Sequence, residues 1–216
     1  MTIQYVSDFI QHYSMFRFKP SLDEAVTVEG NYQASLSHEQ YGEVQINYKL
    51  RIKIPEDYPR SLPEVYELSN RIEKKPVNHV NCDGSICLGA PIRLKIVIQR
   101  NPSLTNFFEK CILPYLFAIT LKLKTGKDFV FGELEHGNKG LIDDFKKLFN
   151  LSEVKQVCYM LVLLSKNKRE ANRLVCPCGC KKRLSTCRYF EKVQQMRKRF
   201  SRSEWEEQYL LLKGGC

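Results

Sequence analysis

The sequence lacks the marks of a membrane or secreted protein. Its longest apolar runs, Cys111–Leu121 and Val157–Leu164, fall short of the roughly 20 residues a spanning helix needs. From Met1 to Lys19, acid and amide residues interrupt the apolar pattern, so a signal peptide is not expected. The chain is therefore expected to be soluble and cytoplasmic, with no membrane partner. Internal repeats and low-complexity tracts are absent, and charged residues, at 27%, are at ordinary globular usage. Acidic residues are scarce in one region: between Lys166 and Arg202 only Glu170 and Glu191 offset many Lys and Arg.

What is present sets the remaining bounds. With 216 residues, 43% of them hydrophobic, the chain can build one substantial core plus an appendage, or two small domains. A net charge of +10 suits an acidic partner, a nucleic acid or an anionic protein face without choosing among them. Nine cysteines in a reducing compartment read as metal ligands, catalytic thiols or core residues, not as a disulfide framework.

The first half is strand-rich. Residues 5–17 carry Tyr5, Phe9, Ile10 and Tyr13, with Phe16 or Phe18, at roughly helical spacing, which predicts a short amphipathic helix ending before Pro20. Residues 25–35 alternate loosely and predict a strand, followed by a turn at 37–42. Val44, Ile46, Tyr48, Leu50, Ile52 and Ile54 then alternate strictly with polar and basic residues, as in an antiparallel strand with one buried face. Pro55, Pro59 and Pro63 impose an extended crossing, and Val65, Tyr66 and Leu68 give another short strand. Ile92, Leu94, Ile96 and Ile98 alternate as a further strand or extended segment.

The second half is helix-rich. Residues 103–124 form the strongest helical pattern, with Pro114 as a kink and Gly126 as a stop. Helices are predicted at about 140–149 and 151–165, and a last one from about Tyr189. Together these elements predict an α+β fold. The expected domains are 1–150 and a helical extension, 151–216, with a cysteine-rich segment.

One polar, turn-rich stretch, Asn78 to Gly89, stands out as a binding or reaction loop held by a scaffold. Within it His79-x-Asn81, five residues and Cys87-Leu88 resemble the active-site segment of ubiquitin-conjugating enzymes, where a His-Pro-Asn signature precedes a thioester cysteine. Asp57-Tyr58-Pro59-x-x-Leu62-Pro63 resembles the Tyr-Pro-x-x-Pro-Pro crossing of the same family. Phe131-Gly132-Glu133-x-x-His136-Gly137 is similar to its bacterial branch, whose members often sit in antiphage (CBASS) operons beside a cyclic-nucleotide synthase. The resemblance covers about residues 1–150. It implies a UBC-like fold: an N-terminal helix, an antiparallel meander, an active-site loop and C-terminal helices. Val80 stands where the family has proline, which predicts a looser loop, and the family's tryptophan after the cysteine is absent. Both point away from ordinary ubiquitin machinery.

The resemblance implies that Cys87 receives a protein through its C-terminal carboxyl, holds it as a thioester and passes it on. Cysteine suits this: even a few per cent thiolate at neutral pH is intrinsically very nucleophilic. The Asn81 amide is a suitable donor to the developing oxyanion or to the loop that positions it, while the resemblance gives His79 a loop-holding role. A lysine acceptor is neutral in only roughly one molecule in two thousand at pH 7, so the site must desolvate it or offer an acidic neighbour. Asp83, Glu133, Glu135 and His136 are the candidates; a thiol acceptor needs no such help. The expected partners are an activating enzyme supplied in trans and a conjugated protein, with a cGAS-like nucleotidyltransferase as the candidate. Cys82 reads as a bystander, and Cys111 and Cys158 as core.

Cys176, Cys178, Cys180 and Cys187 fall within twelve residues, which matches tetrahedral zinc held by thiolates. The arrangement resembles the SEC-C zinc motif, Cys-x-Cys with eight residues before a third cysteine. Arg188 occupies the position of that motif's fourth ligand, which leaves Cys180 as the nearest substitute. Zinc is therefore the expected, structural cofactor. The surrounding Lys and Arg would suit nucleic acid, but aromatic interleaving is limited to Tyr189 and Phe190, so nucleic acid is not an expected partner. Gly214-Gly215 resembles a conjugable terminus, but Cys216 follows, and a disordered end is expected.

Three functions remain open: a cysteine-dependent conjugating enzyme, a non-catalytic adaptor on the same scaffold, and a nucleic-acid binder.

Overall fold

In the computed structural model the described residues are 2–20, 25–127, 129 and 138–213. They fall into two compact units, Met1–Glu133 and Leu134–Cys216.

The first unit opens with α1 (Thr2–His12), shorter than the sequence pattern predicted, because Phe16 and Phe18 belong to a strand. A four-stranded antiparallel meander follows: β1 (Phe16–Lys19), β2 (Val26–His38), β3 (Gly42–Ile54) and β4 (Glu64–Glu67), in that spatial order. β2 and β3 pair along their whole length, from Val26 opposite Ile54 to His38 opposite Gly42. On β3 the alternation turns Val44, Ile46, Tyr48, Leu50, Ile52 and Ile54 into the core. Arg51 on the other face reaches Glu29 across the strands at 2.6 Å. Gly30 lies opposite Phe16, where a Cβ would come within 2.7 Å of the Met15 carbonyl oxygen and 2.8 Å of Phe16 Cα. The backbone of β1 thus approaches too closely for any larger residue. The crossing after β3 contains a cis Tyr58–Pro59 bond.

Residues 92–98 correct the strand expectation: they lie in α2 (Pro91–Arg100). A period-two pattern this short also satisfies i, i+4 spacing, so Ile92 and Ile96 share a helical face and are both buried. Pro91 at the first helical position tips the balance, with its φ already set and no N–H to leave orphaned.

The main helix is continuous from Leu104 to Thr125: α3 (Leu104–Phe107), a π-helical turn (Phe108–Ile112) and α4 (Leu113–Thr125). Pro114 has no N–H, and the wide turn just before it, in which Leu113 N–H reaches Phe108 O, accommodates the interruption. Gly126, left-handed at φ 69°, ends the helix with its N–H on Lys122 O at 2.8 Å. By length and composition this helix could cross a membrane. Its packing is that of a core helix: Leu104, Phe107, Phe108, Ile112, Leu116 and Ile119 are fully buried. Phe108 lies among Phe9, Tyr13, Phe16 and Tyr32 with ring centroids 4.8–5.7 Å apart, and Thr120 Oγ1 is 3.0 Å from Tyr48 Oη on β3.

The second unit is helical: α5 (Asn138–Phe149), α6 (Val154–Ser165), the single turn α7 (Lys168–Ala171), α8 (Phe190–Arg199) and α9 (Arg202–Lys213). Helix α5, expected in the first domain, belongs to this unit. The one tryptophan, Trp205, is fully buried against Phe149 and Phe200, with centroids 5.9 and 5.2 Å away. The single last helix expected from Tyr189 is two. Ser201 and Glu204 cap α9 reciprocally, Ser201 N–H donating to Glu204 Oε2 at 2.9 Å and Glu204 N–H to Ser201 Oγ at 3.3 Å.

Candidate functional site

The loop between β4 and α2 is built by backbone hydrogen bonds. A short 3-10 turn, Pro76–Asn78, ends at His79 in the left-handed conformation (φ 54°, ψ 43°). The chain then folds back on itself: Asn81 N–H donates to Ser85 O at 2.8 Å, Gly84 N–H to Asn81 O at 2.9 Å, and Cys87 N–H to His79 O at 2.7 Å. Gly84, at φ 86°, makes the reversal possible. Val80 and Ile86 bridge each other and are buried. Val80 N–H also donates to Lys75 O at 3.4 Å, a bond proline could not form. Ile86 N–H donates to Val65 O at 2.7 Å, tying the loop to β4. The result holds Cys87 half-buried at the end of a fixed backbone segment.

Helix α4 fixes the loop from the other side. Tyr115 Oη donates to Asn78 O at 2.8 Å, and Lys122 Nζ to Val77 O at 2.6 Å. Burial, then the neighbouring Tyr48 and Cys87, push the Tyr115 phenol up, so it remains a donor at any physiological pH. His79 is buried, and its ring meets the Phe129 ring edge-on at 4.6 Å. Its link to Cys87 is the backbone bond already described.

The candidate polar residues form a network around Ser85. Asn81 Nδ2 donates to Ser85 Oγ at 2.9 Å; Ser85 Oγ donates to Asp83 Oδ1 at 2.6 Å, and Ser85 N–H to the same oxygen at 2.9 Å. The Ser85 hydroxyl and N–H hold the Asp83 carboxyl below its ordinary range. The Asn81 amide is thus engaged within the loop by one N–H. Its other N–H has no partner among the described residues. Glu133, Glu135 and His136 lie outside the described residues. Cys82 is exposed at the loop tip, and Cys158 is half-buried. Cys111 is buried, its thiol pushed up to about 11 by desolvation, which makes it inert. Three contributors escaped sequence reasoning. Ser85 had no distinguishing signal, and Tyr115 and Lys122 sit in a helix whose pattern announces packing and not their reach to loop carbonyls.

The second candidate centre brings the four cysteines together. The Sγ atoms of Cys176, Cys178, Cys180 and Cys187 all lie within 4.8 Å of one another. Neighbouring pairs are 3.2 Å (Cys176–Cys178), 3.5 Å (Cys180–Cys187) and 3.6 Å (Cys178–Cys187) apart. Four thiolates around one tetrahedral ion at about 2.3 Å stand about 3.8 Å from each other, so the cluster could hold a metal ion with small adjustments. The local fold brings the four sulfurs together. Val175 bridges Arg183, Cys176 N–H donates to Lys182 O at 2.8 Å, and Leu184 N–H to Leu174 O at 2.8 Å. Gly179 (φ 82°) and Lys181 (φ 60°) turn the intervening knuckle. A 3-10 turn, Leu184–Thr186, then delivers Cys187. Tyr189 N–H donates to Cys187 Sγ at 3.4 Å and, with hydrogen bonds from the neighbouring cysteine thiols, lowers that thiol to about 7, while burial pushes the Cys176 thiol up.

No protein-family model matches the sequence, and no curated protein matches it.

Proposed function

We propose that the protein is a thioester-forming transferase of the ubiquitin-conjugating type, with Cys87 as the nucleophile. The observation that supports this most is the pairing of His79 O with Cys87 N–H at 2.7 Å. It draws the His79-x-Asn81 segment and the Cys87-Leu88 segment into one turn at the edge of an antiparallel meander, as expected of a UBC-like fold. In this reading the Cys87 thiolate attacks the carbonyl of a protein C-terminus carried by an activating enzyme in trans. The new S–C bond forms as the donor's bond breaks, and the departing group leaves as an anion that takes up a proton from water, replacing the one lost when the Cys87 thiol ionised. The second N–H of Asn81, which has no partner among the described residues, is the oxyanion donor, and Asp83, kept ionised by Ser85, is the acidic neighbour for an incoming amine. His79 positions the loop. The setting is cytoplasmic bacterial antiphage defence of the CBASS type, with a cGAS-like nucleotidyltransferase as the carried protein. The four-cysteine cluster holds structural zinc: four thiolates and no open position leave nothing for catalysis.

One feature favours the alternative, a non-catalytic adaptor on the same scaffold. The Asn81 amide is anchored on Ser85 instead of standing free. A Cys87→Ser variant decides between them. A transferase co-expressed with its genomic neighbours will accumulate a protein adduct on the substituted hydroxyl, as an ester stable to reductant. An adaptor will show no adduct and will keep its full biological effect in Cys87→Ala.

A further inference from the structure

The two units divide the charge very unequally. The first has sixteen Lys and Arg against fifteen Asp and Glu, and the second has eighteen against nine, so nine of the ten net positive charges belong to the second. Within that unit, five of the eighteen cations lie at the cysteine knuckle, where no Asp or Glu between 171 and 190 offsets them. Arg173, Lys181, Lys182, Arg183 and Arg188 are all exposed, and none pairs with another described side chain. Lys181 and Arg188 directly follow the candidate ligands Cys180 and Cys187, so both lie within one residue of the sulfur cluster. Val175 and Arg183 are bridge partners, which sets these two exposed side chains side by side on the knuckle, with the exposed Arg173 and Lys181 two residues away along the chain. Four thiolates on a divalent ion contribute two negative charges, and the excess in this segment outweighs them.

The kind of partner follows from what accompanies the charge. A protein interface needs buried apolar or aromatic anchors at its centre. On this face the one exposed large apolar side chain among the described residues is Val175. Single-stranded nucleic acid needs rings on which bases stack. Tyr189 and Phe190 are only partly accessible, and Tyr189 Oη is tied to Phe149 O at 2.6 Å. An RNA duplex also offers phosphates, but the modules that read it span two successive minor grooves over about 16 base pairs, a longer reach than a knuckle closed by four sulfurs within 4.8 Å of one another. Point cations without anchors match the regular phosphates of a DNA duplex. We propose that the cysteine knuckle of the second unit is a DNA-binding surface that contacts the duplex backbone without reading sequence.

The test uses the full-length protein as purified with its metal, and two unrelated 24-base-pair DNA duplexes, titrated by fluorescence anisotropy from 50 to 200 mM salt. Five phosphate contacts predict equal affinity for both duplexes and a fall of about 500-fold across that range. The triple variant K181Q/K182Q/R183Q should flatten the fall to about tenfold. A charge-matched triple variant in the first unit, K110Q/K124Q/K127Q, should leave it unchanged. Cys87→Ala should bind as the unaltered protein does, so failure of the transferase proposal and failure of this one are separable. The proposal is overturned by absence of DNA binding, by equal effects of the two triple variants, or by tighter binding of single strands or duplex RNA. Equal binding of an oligoglutamate peptide would also overturn it and point to an acidic protein partner.

Discussion

Removal of the proposed structural zinc should unfold one part of the chain and spare another. The knuckle between Leu174 and Cys187 has little else to hold it. Cys176, Pro177 and Leu184 are its buried side chains among the apolar residues, and three backbone hydrogen bonds join its two arms, Cys176 N–H to Lys182 O, Leu184 N–H to Leu174 O and Ser185 N–H to Asn172 O. Burying Leu184 contributes about 1.5–3 kcal/mol, and each hydrogen bond a net of about 0.5–1.5 kcal/mol. Ordering more than ten residues costs about 1–2 kcal/mol each for the backbone alone, so the segment cannot stand by itself. A thiolate-bound structural zinc contributes roughly 10–16 kcal/mol in small peptides, enough to reverse that balance. The first unit has no such dependence, because its core runs from Val6 and Phe9 through β2 and β3 to Ile119. The assay is amide hydrogen exchange followed by mass spectrometry, with and without a strong zinc chelator. The expected result is loss of protection in peptides spanning 173–190, with protection of 28–54 retained, and one zinc released per chain. Unchanged protection of 173–190 after complete metal removal would refute the reasoning.

Three further outcomes follow from the first unit. Gly30→Ala places a methyl group within 2.8 Å of the β1 backbone, which cannot yield as a side-chain tip can; it should cost about 1–3 kcal/mol, read as a lower thermal midpoint for that unit. Tyr115→Phe leaves Asn78 O without its buried donor and should cost about 1 kcal/mol, with faster amide exchange at His79 and Cys87 while β2 and β3 are unaffected. The Asp83 carboxyl is depressed in the folded chain, so its contribution is fully present above the ordinary carboxylate range and is lost only as pH falls through the lower folded value. The Ser85 amide resonance should therefore stay constant from pH 8 to 5 and move only in more acid solution; movement near neutrality would show that Asp83 is not held by Ser85.

Much of the first unit was legible because its strands leave one face wet. Strict alternation at 44–54 gave β3 its buried side, and glycine at 126 marked the end of the main helix. The helix at 91–100 was not legible by alternation, since seven residues are too few to separate period two from a helical face when proline opens the segment. The break between α8 and α9 did have a signal, Ser201 followed three residues later by Glu204, which the expectation of one last helix from Tyr189 left unused. At the site, His79, Asn81 and Cys87 were singled out by the family resemblance that their order and spacing carry, not by the residues alone. The links that fix them depend on tertiary geometry: Tyr115 and Lys122 reach the loop from 37 and 45 residues away. The four cysteines were legible as a set because they are close in sequence, whereas their closure depends on positive φ at Gly179 and Lys181.

Whether Cys87 carries a protein is the question on which the proposed function turns. Its most direct measurement is the intact mass of the chain, purified without reductant after co-expression with its genomic neighbours. A thioester carrier will give a species heavier by the mass of a whole protein less one water, linked through Cys87, collapsing on addition of thiol and absent from Cys87→Ala. An unmodified mass throughout, with the neighbours present and active, would contradict the transferase reading.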